Sequence, residues 1–251
     1  MSQMSDYEID RVKTGIPGLD ELIEGGFPRG DTILIAGKAG TGKSILATQF
    51  IYKGAMEYDE PGVFVTLEEP PHLIKRNMLR FGMDLEALVK EGKMSIVDLS
   101  PSKEITPVTI GEYPSFDLSG LQAIIMNHIK KIGAKRVVLD TLSIMAYKFR
   151  SRDILREEFF KLAAMITRTG CTLMLTSEIP AQDQGLGVFD IEAFLASGVI
   201  VLYNEKISDT SRSRSIEVLK LRGSKHSSRI HSMRITDEGI RVWPGEISPG
   251  H

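Results

Sequence analysis

One cysteine in 251 residues leaves no intramolecular disulfide and no cysteine-built zinc module. Cys171 leads into the apolar run TLMLT and reads as a small buried hydrophobe rather than a nucleophile. Such usage fits a reducing, cytoplasmic compartment. Histidine is also scarce: the five present form no i, i+4 pair, which argues against a metal cage built by the protein alone. No apolar run approaches 18 residues, and the leading MSQMSDYEID is polar and acidic. Neither a membrane anchor nor a signal peptide is therefore expected. Net charge is close to absent at −2, which argues against a general nucleic-acid coat protein. That average hides one basic region, since Tyr203 to Arg234 holds eight Lys/Arg against three acids.

What is present is ordinary core-forming material, with 42% hydrophobic and 25% charged residues. Near-continuous apolar runs alternate with longer amphipathic stretches. DTILIAG (31–37), GVFVTLE (62–68), MSIVDL (94–99), RVVLDT (136–141) and TLMLTSE (172–178) read as strands buried on both faces. Helices are expected from Lys43 to about Tyr58, over 71–82, over 118–132 and over 153–169. After Pro180 the texture becomes strand and turn only: GVIVLY, RSIEVLKL, RIHSMRI and GIRVW. The pattern predicts one α/β domain over 1–251, with its core at about 10–243 and antiparallel strands extending a parallel sheet. Two long loops, 99–115 and 180–190, interrupt it.

GKAGTGKS, residues 37–44, fits G-x-x-x-x-G-K-[ST] after a predicted strand and at the start of a predicted helix. Glycines at 37, 40 and 42 let successive backbone N–H groups turn inward around phosphate oxygens, and the helix dipole adds to the field. Lys43 is placed to reach the β- and γ-phosphates, and the Ser44 hydroxyl to coordinate Mg²⁺. The contact set therefore runs Gly37, Lys38, Ala39, Gly40, Thr41, Gly42, Lys43, Ser44 and Ile45. RVVLD ends in Asp140, a candidate for holding the metal, with Asp98 a rival at another strand end. TLEEPP carries Glu68 and Glu69 at the end of the second strand. A carboxylate there can polarise an attacking water, or it can simply precede a helix where acids suit the dipole. Strand alternation would send the two to opposite faces, and Glu68 is the favoured base with Glu69 supporting.

Together these residues resemble the KaiC-like branch of the RecA superfamily of ATPases. The resemblance runs through TGIPGLDELIEGGFPRG, GKAGTGKS, FVTLEEPP, VVLDT, TSE, KLRGSKH and ITDEGI, which is most of the chain from about residue 10 to 243. It implies a RecA-like fold, a mostly parallel sheet with helices on both faces, and a homo-oligomeric ring, commonly a hexamer, with ATP between subunits. It implies that Glu68 and Glu69 are the catalytic pair. It further implies that Lys220, Leu221, Arg222, Ser224 and His226 reach the nucleotide of the neighbouring P-loop, with Thr236 and Asp237 adding contacts near the base. An i, i+2 pair such as Lys220 and Arg222 points to one side of a strand, and a cation at a γ-phosphate stabilises transition-state charge. The bland alternative is a solvated cationic edge that discourages aggregation. Arg80 departs from the small polar residue that two-domain relatives tend to have there. FDIEAFLASG (189–198) lacks the Ser-Thr pair those relatives modify, and one copy of the ATPase is expected where they carry two.

The leading expectation is an Mg-dependent ATPase ring acting as a regulatory switch. A second is a recombinase- or helicase-like ATPase, favoured by KFRSR (148–152) and the basic region. Against it, 180–190 contains no Lys or Arg, and about thirty residues precede the first predicted strand. The third is an assembly module that needs ATP but turns over little.

Overall fold

The nine apolar runs become nine strands of one sheet in a computed structural model that describes residues 9–100, 118–143, 152–179 and 196–247. In chain order the elements are β1 (Arg11–Val12), α1 (Leu19–Leu22), β2 (Phe27–Pro28), β3 (Thr32–Gly37), α2 (Lys43–Glu57) and β4 (Gly62–Thr66). Then follow α3 (Pro71–Leu79), α4 (Leu85–Lys90), β5 (Met94–Asp98), α5 (Leu118–Ile132), β6 (Arg136–Asp140) and α6 (Arg152–Thr167). The chain continues through β7 (Thr172–Glu178), β8 (Gly198–Lys206), β9 (Arg212–Leu221), β10 (Ile230–Thr236) and β11 (Gly239–Ile247). All but the first two residues of the loop expected at 99–115, the whole of 180–190, all of KFRSR but Arg152, and most of FDIEAFLASG lie outside the described residues.

The sheet order is β11-β10-β9-β8-β3-β7-β6-β4-β5. From β8 to β5 every pairing is parallel, and β9, β10 and β11 add antiparallel. Strand alternation divides β3 between two cores: Ile33 and Ile35 join one, Leu34 and Ala36 the other. The first core is closed by Leu46 and Phe50 of α2, Ile74 and Met78 of α3, and Leu85 and Leu88 of α4. The second is closed by Ile125 and Ile129 of α5 with Phe159, Leu162 and Ile166 of α6. β1 and β2 form a separate two-stranded ladder.

Two differences from the expected elements bear on the site. β4 stops at Thr66, so Glu68 and Glu69 lie beyond the strand and alternation does not place them. The turn is held instead by Thr66 Oγ1 donating to the Glu69 carbonyl at 2.6 Å and Leu67 N donating to the Asp140 carbonyl at 2.7 Å. β9 ends at Leu221, where the run RSIEVLKL ends, so Arg222 does not share the strand with Lys220, and a bulge leaves Leu219 unmatched between the Lys220 and Val218 pairings with β8. Extra residues of that kind redirect the side chains that follow.

A buried ion pair fastens α2 to the sheet. Arg136 opens β6 fully buried, donates to Glu60 at 2.7 Å and to the Phe50 carbonyl at 2.8 Å, and stacks on the Phe50 ring at 4.4 Å. Gly54 of α2 lies against that guanidinium, where an added Cβ would stand 2.5 Å from its central carbon. Cys171 is buried as expected, donates to the Ala134 carbonyl, and has its thiol pKa pushed up by burial. Among the described residues no helix is long and apolar enough to cross a membrane.

Candidate functional site

The phosphate loop leaves the carboxyl end of β3, the middle strand of the nine, and ends at the first residue of α2. Gly40 and Gly42 adopt φ of 75° and 107°, conformations that side-chain-bearing residues rarely enter, which is why the loop needs glycine there. Lys38, Ala39 and Gly40 form an exposed rim. Buried Thr41 closes the loop, its hydroxyl donating to the Lys38 carbonyl at 2.9 Å. Lys43 folds over the loop, donating to the carbonyls of Gly37 at 2.8 Å and Lys38 at 3.0 Å. Burial pulls its pKa down, against the attraction of Glu178, Asp140 and Glu68.

Asp140 ends β6 nearly buried, accepts from Thr176 Oγ1 at 2.5 Å, and is hydrogen-bonded to the Ser44 side chain. Burial raises its pKa, and those hydrogen bonds with Lys43 oppose the rise. Glu68 and Glu69 both face Asp140, and each has its pKa raised by desolvation first and by neighbouring carboxylates second. They differ in commitment: Glu69 accepts from Asn77 Nδ2 at 2.8 Å, whereas Glu68 lies within the fields of Lys43, Asp140 and Glu178. The carboxylates crowd this end of the sheet with Lys43 among them. An oxygen-donor set of that kind, with Ser44 hydrogen-bonded to Asp140, fits a Mg²⁺ that takes few protein ligands and fills its shell with water and phosphate oxygens. Accordingly, no three His, Cys, Asp or Glu among the described residues form a metal cage by themselves. Asp98 drops out as a rival, since β5 is the edge strand four places from β3 and Asp98 accepts from its own neighbour Ser100.

A cavity of about 260 Å³ opens beside this cluster, walled by Ser44, Ile45, Thr48, Glu69, Asn77, Arg80, Asp140 and four apolar side chains. The hairpin turn between β10 and β11 arrives at the same end. Ile235 and Ile240 pack on Gly42, and Gln49 of α2 accepts from Ile240 N at 2.7 Å and donates back to its carbonyl at 3.1 Å. Thr236, which accepts from Glu238 N and donates to the Gly239 carbonyl, and exposed Asp237 are thus carried to the loop's own side of the molecule.

KLRGSKH lies at the opposite end. Gly37 pairs with Leu202 of β8, whereas Leu221 pairs with Gly198, the residue opposite Ile33. Four residues of strand separate the two registers, roughly 13 Å at about 3.3 Å per residue. Lys220 donates to the Ala196 carbonyl at 2.7 Å, Ser224 accepts from Arg11 at 2.9 Å, and His226 Nδ1 is 3.0 Å from the Ser227 carbonyl. Leu221 is buried in the core. The residues expected around one nucleotide therefore form two groups at opposite ends of the same sheet.

Three contributors escaped the sequence reading. Glu178 ends β7 beside β3, Thr176 orients Asp140, and Arg214 approaches the Gly40 carbonyl at 3.4 Å. A carboxylate ending a strand was a usable signal for Glu178. The neighbours of Thr176 and Arg214 exist only once the strands are ordered.

With its phosphate loop on the central strand of a sheet that turns antiparallel on one side, the chain falls in the RecA-like class of P-loop ATPase folds. The family described as "ATPase: KaiC" matches residues 12–247, and the chain belongs to that family. It is 38% identical over 236 residues to the circadian clock oscillator protein KaiC of Synechococcus elongatus, covering 94% of this chain and 44% of that protein. The KaiC 1 protein of Synechocystis sp. is 36% identical over the same share of this chain. The chain spans less than half the length of these curated relatives. A solved KaiC-like protein from Pyrococcus horikoshii is 41% identical and superposes with a TM-score of 0.80, covering 94% of this chain and all of that one.

Proposed function

We propose that the protein is a Mg²⁺-dependent ATPase that assembles into a homo-oligomeric ring, a hexamer by the family resemblance, with ATP held between subunits, and that it serves as a regulatory switch. One observation carries the two-subunit site: Lys220 and Arg222 lie at the far end of the sheet from their own phosphate loop. A subunit following head to tail would bring that end to its neighbour's triphosphate. In this reading Gly37 to Ile45 bind the phosphates and start of the nucleotide, Ser44 and Asp140 hold Mg²⁺, and Thr236 and Asp237 lie near the base. Glu68 accepts the proton of the attacking water, with Glu69 fixed beside it through Asn77. Lys220 and Arg222, carried on Leu221, Ser224 and His226 of the neighbour, offset the charge that develops on the γ-phosphate.

Mixing two inactive variants tests the reading. Lys43→Ala spoils a subunit's own loop, and Arg222→Ala spoils what it lends. Each is expected to be inactive alone, and subunit exchange is expected to restore partial turnover. No recovery despite demonstrated exchange would remove the two-subunit assignment.

A nucleic-acid reading has one observation in its favour, a cleft of about 530 Å³ whose walls include Arg212, Arg214 and Arg234. Strong stimulation of turnover by single-stranded DNA would move the assignment there. ATP-dependent assembly without turnover would leave the assembly-module reading.

A further inference from the structure

The segment LIEGG (22–26) lies in the run that resembles the family, yet none of its residues enters the site described so far. The fold makes it the seat on which KLRGSKH rests. Ser227 N donates to the Leu22 carbonyl at 2.9 Å, and Lys225 N donates to the Glu24 carboxylate at 2.9 Å. Arg11 of β1 reaches across the same seat. One terminal nitrogen of its guanidinium donates to the carbonyls of Ile23 at 3.2 Å and Gly26 at 3.0 Å, and to Ser224 Oγ at 2.9 Å. The other donates to Glu24 at 2.9 Å. The guanidinium therefore ties the seat to the turn that carries Arg222. In that turn Ser224 N donates to the Leu221 carbonyl at 3.3 Å and Gly223 adopts a φ of 68°, which leaves Arg222 exposed.

The residue at position 24 is itself informative. Glu24 has a φ of 55°, a conformation that glycine enters freely and other residues seldom do. Its carboxylate is the group that meets both Arg11 and Lys225 N. Backbone outliers of this kind gather at functional sites. The Ser224 hydroxyl, accepting from Arg11, turns its own proton away from the guanidinium.

We propose that Arg11 and Glu24 are positioning residues that hold the turn carrying Arg222 and Ser224 in the geometry that meets the phosphates bound by the neighbouring subunit. This rests on the two-subunit site proposed above and gives the LIEGG segment a part in it. Both residues act through the turn: Arg11 through Ser224 Oγ, and Glu24 through Lys225 N and through Arg11.

The test uses full-length Arg11→Ala, Glu24→Gly and Glu24→Gln proteins with ATP and Mg²⁺, measuring turnover, oligomer mass, thermal stability and complementation. Misplacement of a transition-state cation by about an ångström lowers rate steeply, so Arg11→Ala is expected to lose roughly tenfold or more in kcat. KM is expected to stay within about twofold, because the subunit's own loop is intact. Glu24→Gly relieves the backbone while removing the carboxylate, so it should assemble and melt like the wild type yet turn over roughly threefold or more slowly. Glu24→Gln, whose amide oxygen can still accept from Lys225 N, is expected to keep more of the rate than Glu24→Gly. The directional result is complementation. Arg11→Ala should recover turnover when mixed with Lys43→Ala, which lends an intact Arg222 turn, but not when mixed with Arg222→Ala. A defect in the variant's own phosphate loop would give the reverse pattern.

Wild-type turnover in Arg11→Ala, or equal recovery with both partners, would overturn the proposal. If Arg11→Ala does not assemble, Glu24→Gly carries the test, and wild-type turnover there overturns it equally. The two levels separate cleanly. Wild-type activity in Arg222→Ala sinks the two-subunit reading, whereas an inactive Arg222→Ala beside a normal Arg11→Ala sinks this inference alone.

Discussion

Glu68 and Glu69 are adjacent in sequence, but their environments differ. Glu69 is tied to Asn77, while Glu68 faces Lys43 and the Asp140 carboxylate. Glu68→Gln is expected to lower turnover by about 10²–10⁴-fold, with a smaller loss in Glu69→Gln, as read by steady-state kinetics. As the proposed base Glu68 would work deprotonated, and desolvation with neighbouring carboxylates raises its pKa. The acid limb of the pH-rate profile should therefore lie above the ordinary carboxylate range and vanish from the residual activity of Glu68→Gln. The stability linkage has the opposite sense. Carboxyls with raised pKa bind protons more tightly in the folded chain, so the nucleotide-free protein loses stability as pH rises through their titration. At this scale Lys43, Ser44 and Asp140 were legible, because a motif and a strand-ending acid carry their chemistry in linear order. Thr176 and Arg214 were not, because their importance lies in what stands beside them.

At the scale of elements the Arg136–Glu60 pair is a buried fastening that joins the start of β6 to the turn after α2. Glu60→Ala leaves a fully buried guanidinium without its counter-charge and is expected to cost ~3–5 kcal/mol, measured by urea denaturation. Loss below about 1 kcal/mol would mean that Phe50 and Tyr58, whose rings the guanidinium also overlies, suffice to hold it. The sequence announced the strands because burial on both faces writes itself as continuous apolar runs. It said nothing of short α1 and α4, which are too brief for a periodic signal, although Asp84 caps α4 by accepting from Ala87 N. It misjudged where β4 stops, which releases Glu68 and Glu69 early because Thr66 bonds across the turn, and it did not show the bulge at Leu219 inside β9.

At the scale of the molecule, antiparallel β9 is what separates KLRGSKH from the phosphate loop of the same chain. It returns along β8 and delivers KLRGSKH to the end of the sheet opposite the phosphate loop. In the proposed ring, this basic segment is the half-site each subunit would offer to another. The most direct measurement is ATP turnover per chain across a dilution series, with the mass of the particle followed in the same samples. Turnover should fall in step with dissociation, because a lone subunit cannot bring Arg222 to its own triphosphate. Constant turnover per chain in samples shown to be monomeric would contradict the account.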